Sequence, residues 1–167
     1  TIANQGHLYV GGDFKAKAWD GQNGTGGTLY VSGNFEYPNE NLVFDGNNYI
    51  GGKLSAKNIT FINNAKLYNE CGVFATQEIK ITGNNELHVA YLKAQKLEQS
   101  SNSNIYLKNN SFIETPNYVN HNAGVGSITL EGDNAVAYII GEKLHYNHSD
   151  GNKNDLKMFR TSGNQSK

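Results

Sequence analysis

The chain has 167 residues, enough for one domain with its own core, and is 37% hydrophobic and 11% aromatic with a formal net charge of −1. Near-neutral charge with Arg160 as the sole arginine excludes a phosphate-backbone binder, which needs clustered Lys and Arg. No apolar run approaches the roughly 18 residues of a membrane span, so neither nucleic acid nor membrane insertion is expected.

A low apolar share with ample aromatic and β-branched residues argues for a thin, elongated core rather than disorder. The chain opens at Thr1 without a leader-like segment, as expected of a mature form or an excised piece. Residues 8–14 read LYVGGDF and residues 29–35 read LYVSGNF, an offset of 21. YIGGKL at 49–54 repeats the pattern with Lys53 in the Asp/Asn position. Stretches 15–27 and 36–41 break it and read as loops leaving a corner. Residues 57–69, KNITFINNAKLYN, align with 77–89, QEIKITGNNELHV, at an offset of 20. Weaker copies follow at 97–107 and 128–139.

Within each copy apolar residues alternate, and Gly/Asn turns break the alternation, which is a strand signal. Ile79 and Ile81 face inward, Gly83-Asn84-Asn85 turns the chain, and Leu87 and Val89 resume. Equivalent inward sets are Ile59, Phe61, Ala65 and Leu67, then Ile105 and Leu107, then Ile128, Leu130, Val136 and Tyr138. A third strand per turn carries Leu54 and Ala56, or Leu92 and Ala94. A constant period with like residues at like positions favours parallel stacking over hairpins, since stacked asparagines form amide ladders. Residues 1–146 are therefore predicted to form an all-β, single-stranded parallel β-helix of seven or eight turns of ~20 residues, right-handed by the twist that governs parallel crossovers. Residues 147–167 turn polar around Leu156, Met158 and Phe159 and read as a cap or linker.

The run LYVGGDF … LYVSGNF, followed by residues 54–89, resembles the Asn/Gly-rich repeat region of exported Bacteroidota surface proteins of the LruC-domain-containing type. The resemblance spans roughly residues 6–140, supplies no catalytic residue, and implies a secreted or cell-surface location in a bacterium with a structural or adhesive role.

The residues themselves assign no catalytic group, metal or cofactor. Glu78 and Glu98 lie one period apart and could stack as the paired carboxylates of a glycosidase, or simply lie on a solvated face. Asp13, Asn34 and Lys53 share a corner position and read as structural. DGNKND at 150–155 lacks the closing Glu of a calcium loop and reads as a turn. His7, His88, His121, His145 and His148 share no register, and Cys71 reads as a small buried residue. Tyr9, Tyr30 and Tyr49 precede the inward Val10, Val31 and Ile50, so alternation turns them outward as a column near Trp19, a candidate carbohydrate platform or a sheet-stabilising ladder. The expected function is a non-enzymatic structural or adhesive module whose partners are glycans or other surface proteins. The alternatives are a carbohydrate-active β-helix enzyme and a self-assembling filament subunit.

Overall fold

The computed structural model describes residues 6–16, 27–121, 127–132, 135–146 and 159–161. The chain winds as a parallel β-solenoid with three faces. The first face stacks β1 (His7–Val10), β3 (Thr28–Val31), β5 (Asn47–Ile50), β7 (Lys66–Asn69), the openings of β9 (Glu86–Lys93) and β11 (Asn104–Glu114), β13 (Ser127–Leu130) and β16 (Phe159–Thr161). The second stacks β2 (Phe14–Lys15), the openings of β4 (Phe35–Phe44), β6 (Lys53–Phe61) and β8 (Gly72–Thr82), the ends of β9 and β11, and β14 (Ala137–Ile140). The third stacks the ends of β4, β6 and β8, then β10 (Lys96–Ser100), β12 (Asn117–Asn120) and β15 (Lys143–Tyr146). Every pairing is parallel and joins one turn to the next, as the repeat predicts. There are about six complete turns, with a partial turn at each end of the described residues, where the sequence suggests seven or eight.

Period-2 alternation aims one side chain in two into the bore. Leu29, Leu67, Leu87 and Ile105 come in from the first face, Phe35, Leu54, Val73 and Leu92 from the second, and Leu42, Ile59, Ile79 and Leu97 from the third. All are buried, and each contributes about 1.5–3 kcal/mol by leaving water. Phe44 and Phe61 stack along the bore with ring centroids 5.5 Å apart, and Phe35 meets Phe44 at 6.0 Å with its ring tilted by 56°. Toward β12 the filling turns polar: the buried Tyr118 hydroxyl donates to Gln99 Oε1 at 2.7 Å, and Gln99 Nε2 donates to the Ser103 carbonyl at 2.6 Å.

The corners explain the asparagines. Between the third and first faces, Gly46, Asn63, Gly83 and Ser101 occupy one stacked position, and all have positive φ (68°, 58°, 110° and 61°). Gly, Asn and Ser are residues whose small or locally bonding side chains suit that conformation. At Gly83 a Cβ would lie 2.4 Å from the Asn63 carbonyl oxygen, so contact with the turn before it also requires glycine there. The buried Asn85 accepts the Ala65 N–H at 2.9 Å and donates to the Thr82 carbonyl at 2.8 Å. The buried Asn69 donates to the Ile50 and Gly52 carbonyls and accepts the Gly72 N–H. Such asparagines supply the partners that bent backbone loses at a corner.

Three expectations need correction. Residues 36–41 do not leave as a loop: β4 continues through them, with its register shifting between Tyr37 and Asn41 to absorb the extra length. Of the other stretch, Lys15 lies in β2, and 17–26 lie outside the described residues. Tyr138 points outward, because the corner after Leu130 resets the alternation so that Ala137 and Ile139 pack on the core. Cys71 is exposed: the buried Asn69 ends the inward series, and Cys71 sits on the corner beyond it.

Candidate functional site

The outward side chains of the first face form a column of rings. Tyr9 pairs in register with Tyr30, Tyr30 with Tyr49, Tyr49 with Tyr68, Tyr68 with His88 and His88 with Tyr106. Tyr68 and Tyr106 were not singled out in the sequence, and His88 was read only as one of five histidines, although each precedes an inward residue just as Tyr49 precedes Ile50. The column has two parts. From Tyr49 to Tyr106 the rings lie 4.9, 4.8 and 4.4 Å apart and within 9° of parallel. Their faces cover one another, and water meets mainly edges. From Tyr9 to Tyr49 the rings are 6.2 and 6.4 Å apart and tilted by 40° and 35°, which leaves faces partly open. Tyr9 is 70% exposed. Trp19 lies outside the described residues, as do His148 and the 150–155 turn.

On the third face Glu78 and Glu98 do not stack. The turn between them is 18 residues long, so Glu78 pairs in register with Lys96, and Glu98 with Lys80. Lys96 Nζ lies 2.8 Å from Glu78 and 2.5 Å from Glu98, and Lys80 Nζ lies 2.9 Å from Glu98. Burial pushes the Glu98 carboxyl up, but hydrogen bonds from Lys96 and Lys80 outweigh it and hold the group down at about 2. A general acid needs the opposite shift. Asp13 and Asn34 act as corner ties: Asp13 Oδ1 accepts the Asn34 N–H at 2.7 Å, and Asn34 Oδ1 accepts the Lys53 N–H at 2.8 Å.

The second face carries a feature that the sequence reading missed. Phe74 folds its ring over Gly72, where a Cβ would lie 2.6 Å from Phe74 Cε2. Lys53 Nζ sits 4.5 Å from the centre of the same ring. Tyr91 meets Phe74 edge-on at 5.2 Å and donates its hydroxyl to Glu114, which also pairs with Lys93 at 2.7 Å. Hydrogen bonds from Lys93 and Tyr91 hold the Glu114 carboxyl below its usual range. Beside these side chains, along the corner between the second and third faces, runs an open groove of about 530 Å³. Pro38, in the turn before Ala56, and Pro116, in the turn after Ala94, bound it at opposite ends, and Ala56, Ala75 and Ala94 lie in the turns between. The rings occupy different outward columns, Phe74 with Ser55 and Lys93, Tyr91 with Phe112, so no sequence period links them.

Among the described residues no three of His, Cys, Asp and Glu gather as a metal site, and no helix is long and apolar enough to cross a membrane. No family model, curated protein or solved structure matches the chain significantly.

Proposed function

We propose that the chain is a non-enzymatic structural or adhesive module of a secreted or cell-surface bacterial protein, a stiff solenoid that spaces or presents what it joins. The observation that carries the non-enzymatic part is the state of the outer carboxylates. Glu98, Glu114 and Glu70 are each bonded to lysine and each shifted below the ordinary carboxylate range. Hydrolysis of a glycosidic bond needs one carboxyl kept protonated beside an ionised one. Cross-turn pairs such as Lys66–Glu86 (2.9 Å) and Lys80–Glu98 tie neighbouring turns instead. Location rests on the resemblance of the repeat to exported surface proteins. The test is incubation of the chain with acidic and neutral polysaccharides, assayed for reducing ends and unsaturated products. No product is expected. Release that disappears in Glu98→Gln or Glu114→Gln overturns the reading.

A further inference from the structure

We propose that the tyrosines of the first face carry a one-electron oxidation along the axis and deliver it at Tyr9 as a radical that can form a covalent bond. Tyr9, Tyr30, Tyr49 and Tyr68 hold one outward position in four successive turns. Their ring centroids lie 6.2, 6.4 and 4.9 Å apart, so little space separates one ring from the next. Electron tunnelling falls off steeply with distance, and rings this close exchange electrons readily. All four residues are at least 37% exposed, so water can take the proton that a phenol sheds when it is oxidised. His88 stacks next in line at 4.8 Å, but imidazole is harder to oxidise than phenol, and the continuous run ends at Tyr68. Stacking alone would be served by any flat ring. Four phenols in succession add a redox property to it.

Entry and release of the oxidation obey different rules. A one-electron oxidant that meets the edge of any of these rings takes an electron, the phenolic proton leaves to water, and a neutral tyrosyl radical remains. The neighbouring phenol then gives an electron to that radical and a proton to water. The first ring regains a proton from water, and the unpaired electron has moved by one turn. Coupling is more selective, because a new C–C bond at an ortho carbon forms through the face of the ring. Tyr68 has Tyr49 over one face and His88 over the other, at 4.9 and 4.8 Å and within 9° of parallel. Around Tyr9 the rings stand off, Tyr30 at 6.2 Å and 40° and His7 at 6.3 Å and 26°, and the residue is 70% exposed. Two chains that each hold a radical at Tyr9 therefore join by one ortho–ortho bond, and the two ortho hydrogens move to the phenolic oxygens. The balance is two electrons to two equivalents of oxidant and two protons to water.

The experiment places the oxidant at the far end of the run. A ruthenium tris-bipyridyl photosensitiser is attached to the full chain at Cys71, which is exposed and sits on the corner just past Tyr68. A cobalt(III) ammine quencher takes an electron from the excited ruthenium and decomposes, which leaves ruthenium(III) as the oxidant. Illumination should give a covalent dimer with dityrosine fluorescence, and peptide mapping should put the link at Tyr9. The double change Tyr30→Phe and Tyr49→Phe keeps the rings but removes the oxidisable phenols between Tyr68 and Tyr9. It should return dimer yield to the level of the unilluminated sample, as should Tyr9→Phe. Tyr106→Phe, beyond His88, should leave the yield unchanged, with melting curves matching the parent chain showing that each variant folds. A link mapped to Tyr49 or Tyr68, or no dimer from the parent chain, would overturn the proposal. So would a yield indifferent to the double change, which is the result if the ruthenium of one molecule oxidises Tyr9 of another directly. None of these outcomes bears on polysaccharide cleavage, so the non-enzymatic reading stands or falls separately.

Discussion

Glu98 is poised between opposing effects, and its lysines win. Its carboxyl titrates at about 2 in the folded chain, against roughly 4.3 when unfolded. A depressed folded value means that the stabilisation is complete above the unfolded value and disappears as pH falls through the folded one. Urea denaturation should therefore show a loss between about pH 4.5 and pH 2, of about 1–2 kcal/mol from this group once solvent screening is allowed for. Glu98→Gln should remove that part of the acid sensitivity; an unchanged acid profile would show that the lysines do not hold the group down. Backbone geometry makes a second demand at this scale. Gly83→Ala places a methyl against the Asn63 carbonyl at φ 110° and should cost about 2–4 kcal/mol. Ser101→Gly, at the same stacked position with φ 61° and an exposed side chain, should change stability by less than about 1 kcal/mol. Equal effects in chemical denaturation would contradict the stacked left-handed corner.

Strand by strand, stability depends on which side a residue faces. Ile81 in β8 is fully buried, so Ile81→Lys should cost several kcal/mol, about 3 or more, or prevent folding. Thr60 in β6 faces outward beside Lys80, and Thr60→Glu should shift stability by no more than about 0.5 kcal/mol. Tyr68→Ala removes a ring stacked on both sides and should cost about 1–2 kcal/mol, whereas Tyr9→Ala at the tilted end should cost less. Thermal melts of the two variants check that order. The strands and their inward faces were legible in the sequence because alternation within a strand is local: Ile79, Ile81, Leu87 and Val89 all point as the pattern says. Corners were not, because each one resets the parity by its own length. The misread orientations of Cys71 and Tyr138 come from that, as does the supposed stack of Glu78 on Glu98. The groove was invisible for the same reason. Its lining residues come from several turns, which meet only once each corner length is known.

In the molecule as a whole, each strand bonds almost entirely to the turns directly before and after it, so stability approximates a chain of nearest-neighbour terms. Interior turns have neighbours on both sides. In the first turn Leu8, Val10 and Phe14 are only partly buried, whereas Leu54, Ile59, Val73 and Ile79 of β6 and β8 are sealed. Native-state hydrogen exchange should therefore find the slowest amides in β6 and β8 and faster ones in β1 and β2. Uniform protection along the axis would contradict nearest-neighbour stability. The parallel register has one further consequence. Lys66 and Glu86 hold equivalent places, as do Leu67 and Leu87, in turns of the same form. Excising residues 66–85 would join Ala65 directly to Glu86, carry the chain from one corner into the matching corner of the next turn, and leave each face continuous. The rod would shorten by about 4.8 Å. Its length is thus a quantity that duplication or deletion of a single segment can adjust in fixed steps, a ruler graduated in units of one turn.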